Sequence, residues 1–113
     1  MAILQVDGQW EMAQSNGFRV TVNIIQNGTV LDATAHHSGG RVQATEATGF
    51  VSGHDFNLTI TWDNGSRGQY TALFKQGIGA QGGRGYLDGD TVDLNHPGSH
   101  ATWQSEGREF FFQ

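Results

Sequence analysis

Three tryptophans, Trp10, Trp62 and Trp103, carry the clearest binding chemistry in this sequence. A flat indole covers an apolar ligand face or stacks on a sugar, and its N–H donates one hydrogen bond. The competing use is core packing. Trp10, in a Gly-x-Trp opening, reads best as a plug, whereas Trp62 and Trp103 suit either use. Tyr70 can wall a site beside them, and Ser66 can supply a polar contact. Glu46 and Glu109 are acids on strand-like segments. If Glu109 faces a cavity, burial raises its pKa and fits it for general-base work; a solvated strand end is the commoner state.

Other constellations are weaker. His96-Pro97-Gly98-Ser99-His100 has the spacing of a helical metal pair, but Pro-Gly forbids a helix there. His36 and His37 point to opposite faces of a strand, so a metal site needs one of them to meet His54 or the 96–100 segment. No metal and no cofactor are assigned. Ser99, His100 and Asp93 can be assembled into a triad on paper, but no Gly-x-Ser-x-Gly elbow supports it, and no catalytic residue is assigned. Gly82-Gly83-Arg84-Gly85 lacks the ending of a phosphate cradle and opens no helix. Asn27, Asn57 and Asn64 begin glycosylation sequons that read more simply as hairpin turns and an exposed strand position.

Composition narrows the scaffold. The chain has 113 residues, read as one domain over 1–113, with 17 glycines, a single proline and no cysteine. Hydrophobic residues make up 36%, which limits the core to a modest one, and aromatics at 11% argue against disorder. Six scattered basic residues in a chain of net charge −5 supply no phosphate-tracking surface, so no nucleic-acid partner is expected. No apolar run approaches the ~18 residues of a membrane span, so no membrane partner is expected either. The expected location is cytoplasmic, or the chain is a secreted form whose leader was replaced by a start codon.

The elements that must position these residues are strands. Apolar residues recur two apart in Phe18–Ile24 and in Phe56–Trp62, which puts one set inward and the other outward. Shorter or weaker strands fit Val30–Ala35, Gly49–Val51 and Gln69–Phe74, and Arg108–Phe112 reads as a final strand. Asp7-Gly8, Asn16-Gly17, Asn27-Gly28, Ser38-Gly39, Ser52-Gly53, Asn64-Gly65 and Asp88-Gly89 punctuate the chain as turns. The Asn-Gly and Asp-Gly pairs suit type I′ hairpins. Gly77–Gly85 reads as a mobile loop, and Asp88–His100 as a long loop or a short extra strand. No segment has a helical period. The fold class is all-β, an antiparallel up-and-down meander closing into an eight-stranded barrel, since closure removes exposed edges.

Particular residues resemble the avidin and streptavidin family. Gly8-Gln9-Trp10 looks like its opening Gly-x-Trp strand. Gly49-Phe50-Val51-Ser52-Gly53 with Phe56 and Trp62 resembles its fourth and fifth strands, and Gly68–Ala72 the start of its sixth. Thr102-Trp103 is similar to the Thr-x-Trp of its seventh strand, and Gly107–Phe110 resembles the closing Gly-x-Asp strand. The resemblance implies an eight-stranded barrel with a ligand cavity at one mouth, lined by Trp62, Tyr70 and Trp103 with Ser66 and Glu109 as polar contacts. The departures speak against tight biotin binding. Met12 stands where the family has an Asn, Ala35 and His37 where it has a Tyr and a Ser, and Gly68 at a hydroxyl position. Ser105-Glu106 is too short a loop to lend a Trp to a neighbouring subunit, and only Glu109 matches the closing Asp. Each unpartnered ligand amide costs roughly 1–3 kcal/mol, so several such losses abolish tight binding.

The leading expectation is a non-enzymatic barrel that holds a small, partly apolar molecule in an aromatic mouth. The first alternative is a lectin, because a low charge with many Gly, Asn, Gln and Thr residues suits glycan recognition. The second is a small-barrel isomerase or cyclase working with one acid. The Phe110-Phe111-Phe112 run needs cover on its outward face, from a second subunit in a homo-oligomer or from the 77–100 segment.

Overall fold

Alternation becomes strand wherever one face can be buried, and Asp55–Trp62 shows the rule: Phe56, Leu58, Ile60 and Trp62 are buried while Asn57, Thr59 and Thr61 face outward. A computed structural model describes residues 2–38, 42–76 and 84–113. Its strands are β1 (Leu4–Gln5), β2 (Gly8–Gln14), β3 (Arg19–Asn27), β4 (Val30–His37) and β5 (Ala44–Ser52). They continue with β6 (Asp55–Trp62), β7 (Arg67–Lys75), β8 (Tyr86–Asp93), β9 (His96–Glu106) and β10 (Phe111–Phe112). Strands β2 to β9 form a closed antiparallel barrel in sequence order, with β2 pairing both β3 and β9. No helix occurs among the described residues.

Two-residue hairpins link β3 to β4 and β5 to β6. Gly28 (φ +63°) and Gly53 (φ +58°) hold their first central positions, and no other residue type among those described has positive φ. Thr29 and His54 therefore stay negative. That is the type II′ pattern rather than the expected type I′, and it places the demand for positive φ on glycine alone.

Three sequence readings change. Asp88–His100 is neither a long loop nor a single extra strand, because it supplies most of β8 and the start of β9. Asp88-Gly89 is not a turn: Gly89 sits inside β8 opposite Ala72 and Trp103. A Cβ there would lie 1.9 Å from the Thr71 carbonyl oxygen, so only glycine lets β7 and β8 approach this closely. The strand was hidden because Asp and Gly are poor strand formers and its inward positions read Leu87, Gly89, Thr91 rather than a run of large apolar residues. Residues 108–112 are not a barrel strand either. Phe111–Phe112 pairs with β1 as a separate two-stranded clasp, and Phe110 makes a single bridge to Gly85. Of the Gly77–Gly85 loop reading, residues 77–83 lie outside the described residues.

The clasp closes one end of the barrel, here called the base. Leu4, Val6 and Phe110 are fully buried there against Trp10. The outward side of the phenylalanine run is covered by this chain: Arg84 lies over the Phe111 ring at 5.6 Å, and Phe112 meets His54 and Phe74. The core continues up the axis as an aromatic column, with Trp10 beside Phe56 and stacked on Trp103 at 6.2 Å between centroids. The opposite end is the mouth, where β2–β3, β4–β5, β6–β7 and β8–β9 are joined.

Candidate functional site

The mouth holds a cavity of about 200 Å³. Trp62 ends β6 and enters it because Phe56, Leu58, Ile60 and Trp62 share the inward face. Tyr70, two residues after Gly68 on β7, forms part of its floor and meets Trp103 edge-on below. His37, the last inward residue of β4, stands against the Trp62 ring. Phe18, on the β2–β3 turn, leans on His37 at 5.6 Å and is 57% exposed at the rim. Asn16, Asn64, Ser66, Arg67, Asp93 and His100 complete a largely polar lining.

Of the residues singled out from sequence, the mouth brings together Trp62, Tyr70 and Ser66. Trp10 (2% exposed) and Trp103 (1%) lie in the core column instead. Their N–H groups donate to backbone carbonyls, Trp10 to Val6 at 3.0 Å and Trp103 to Asp90 at 3.0 Å. Both are thus satisfied structural residues and do not line the cavity. Glu109 does not face it either: it is exposed beside buried Phe110 at the base, the opposite end from Trp62. Glu46 is also exposed, on the outer face of β5.

Trp62 differs from the other two. It is only 6% exposed, yet its Nε1–H has no hydrogen-bond partner among the described residues. Among the described residues no side-chain nitrogen or oxygen sealed from solvent lacks a partner, so this N–H opens onto the cavity. Gly68 makes the room. A Cβ on it would sit 3.7 Å from Trp62 Nε1 and 3.1 Å from Tyr70 Cε1, filling the slot between them.

Electrostatics at the mouth follow from burial. Burial in the aromatic wall pushes the His37 imidazole down from its ordinary value, which favours the neutral ring. Burial pushes the Tyr70 phenol up, with bonds from Thr91 and Gln14 pulling back. Gln14 Nε2 donates to Tyr70 Oη at 3.2 Å and fixes that hydroxyl. Ser99, His100 and Asp93 all border the cavity, but no hydrogen bond joins them among the described residues; Asp93 faces His96 at 3.4 Å instead. His54 lies at the base against Phe74 and Phe112, away from the other histidines. No three His, Asp or Glu side chains converge as a metal-ligand set among the described residues.

Phe18 and Arg67 line the mouth without being singled out by the sequence, and His37 enters there only as a metal ligand and as a departure from the resembled family's pocket. The signal for His37 was its parity with Leu31, Ala33 and Ala35 on one strand face. Alternation misplaces both Phe18 and Arg67: Phe18 has the inward parity of Val20 and Val22 but precedes β3 on the turn, and Arg67 opens β7 with the outward parity. No helix among the described residues is long and apolar enough to cross a membrane. In comparison with known proteins, the chain matches no family model and no curated sequence.

Proposed function

We propose that this protein is a non-enzymatic barrel that binds a small molecule in its mouth, with an architecture like that of the avidin family but without tight biotin binding. The observation that carries the reading is the contrast between the two ends. The base is packed solid by Leu4, Val6, Trp10 and Phe110, while the other end is left hollow between Trp62, His37, Tyr70 and Gly68. A concave site with aromatic walls and a few convergent polar groups is the usual form of a small-ligand pocket. Met12, at the family's Asn position, is apolar and fully buried, and Glu109 is remote, so two of the groups a biotin ureido ring needs are missing. Met12 also argues for a ligand that stays in the upper half of the barrel. Ligand-observed NMR with small polar ring compounds tests the proposal. Binders should shift the backbone amides of Arg67, Gly68 and Thr91; shifts confined to the base or the outer face would sink it.

A glycan ligand is the second reading, favoured by Phe18. A ring 57% exposed at the rim, beside Asn16 and Asn64, is placed as a stacking platform with amides at hand. A glycan array distinguishes the two: a sugar whose binding is lost in Phe18→Ala but kept in Gly68→Ala favours the rim over the cavity.

A further inference from the structure

Three side chains at the mouth have an acceptor oxygen already engaged within the protein. Asn64 Oδ1 accepts from the Ser66 N–H at 3.0 Å and from the Ser66 hydroxyl at 2.6 Å. Asn16 Oδ1 accepts from the Phe18 N–H at 3.1 Å. Asp93 Oδ1 accepts from the Asn95 N–H at 2.9 Å, and its other oxygen faces His96. Two donors at the mouth are not engaged in this way. The Trp62 N–H is open in a residue otherwise buried, and the Arg67 guanidinium makes no ion pair among the described residues. Arg19 and Lys75, in contrast, are both paired with carboxylates on the outer face.

An N–H that opens onto a cavity with no protein acceptor can bond a ligand acceptor without breaking a bond within the protein. Arg67 borders the same cavity with no ion-pair partner among the described residues, and its guanidinium favours an acceptor that carries negative charge, since charge-assisted bonds are about twice as strong as neutral ones. The chain's net charge of −5 opposes anions at long range. That field is screened within about 8–10 Å at physiological salt, and at contact distance Arg67 attracts an anion while the Asp93 carboxylate is turned to Asn95 and His96.

Resting on the mouth as the binding site, we propose that its ligand is a small planar organic acid. The ring lies against Trp62 and Tyr70 in the slot left by Gly68, and the carboxylate accepts from Trp62 Nε1–H and from Arg67. His37, whose ring stands edge to face against Trp62, completes the wall of the slot.

Benzoate, benzamide and benzylamine share one ring and differ only in the polar group, and titrating each into the full chain while following the Arg67, Gly68 and Thr91 amides tests the assignment. Benzoate should bind, benzamide about tenfold more weakly, and benzylamine not measurably, given the gap between charged and neutral hydrogen bonds. Arg67→Gln should remove the preference for acid over amide. Trp62→Phe, which keeps a ring but deletes the donor, should weaken acid and amide together; an unchanged amide spectrum elsewhere establishes that each variant is folded. Equal binding of the three probes, or an acid preference that survives Arg67→Gln, would overturn the acid assignment and leave the mouth reading standing. Binding of all three that leaves the mouth amides unmoved would overturn both.

Discussion

His37 meets Trp62 edge to face at the barrel mouth, with ring centroids 4.7 Å apart and planes at 85°. The contact joins the last inward residue of β4 to the last inward residue of β6, across a strand whose mouth end is small (Ala44 is opposite Trp62). It sets the width of the opening and places a titratable ring in an apolar wall.

That placement gives a pH dependence. The folded chain disfavours a proton on His37, while the unfolded chain takes it near the ordinary histidine value of 6.5. As pH falls through that value the unfolded state gains the proton first, so stability drops until the folded His37 also titrates. Urea midpoints measured between about pH 8 and pH 5 should fall with pH, and His37→Gln should flatten that slope. A slope unchanged in the variant would mean that another group is responsible.

The tryptophans should separate by stability. Trp103→Ala removes a ring packed against Trp10, Phe56 and Tyr70 and is expected to cost about 3–5 kcal/mol. Trp62→Ala should cost less, because part of that ring borders an existing cavity and no indole hydrogen bond is lost. Chemical denaturation compares the two; equal losses would place Trp62 in the same sealed core.

Gly89→Ala tests the close approach of β7 and β8. With its Cβ placed 1.9 Å from the Thr71 oxygen and 2.5 Å from Ala72 Cα, the strands must move apart. Forced repacking of this kind costs about 1–3 kcal/mol. Hydrogen exchange should show lost protection at Tyr70 to Phe74 first, and a variant as stable as the parent would contradict the packing.

The outer seam of the barrel carries an acid-sensitive group. Glu11 on β2 accepts from the Ser38 hydroxyl at 2.7 Å and faces Arg19, which also bonds Glu106 on β9. The Ser38 bond, aided by Arg19, holds the Glu11 carboxyl below its ordinary value despite an opposing contribution from burial. Its stabilising effect is present above the ordinary carboxylate range and fades as pH falls through the lowered value. Ser38→Ala should move the Glu11 titration, followed by carboxyl NMR, back toward 4.5.

Much of the scaffold is written in local pattern. Alternation in Phe18–Ile24 and Phe56–Trp62 marks β3 and β6, and Gly28 and Gly53 mark the hairpins beside them, because side-chain period and positive φ are properties of a few adjacent residues. Strand β8 escaped the same reading. Its inward glycine is required by a neighbouring strand 18 residues away, Gly89 against Thr71, and nothing in the local sequence records that approach. The phenylalanine run was legible as partly inward, but not as a clasp with β1, since pairing the two chain ends is the longest-range contact in the molecule.

The sequence by itself determined that this chain forms antiparallel strands with inward tryptophans on three of them. Which indole meets solvent was decided only by the assembled barrel. Trp10, Trp62 and Trp103 share residue type and inward parity, but register and closure stack two of them inside the cylinder and put the third at its open end. Depth along the barrel axis comes from how eight strands are staggered around it, a property of the closed sheet that no single strand contains.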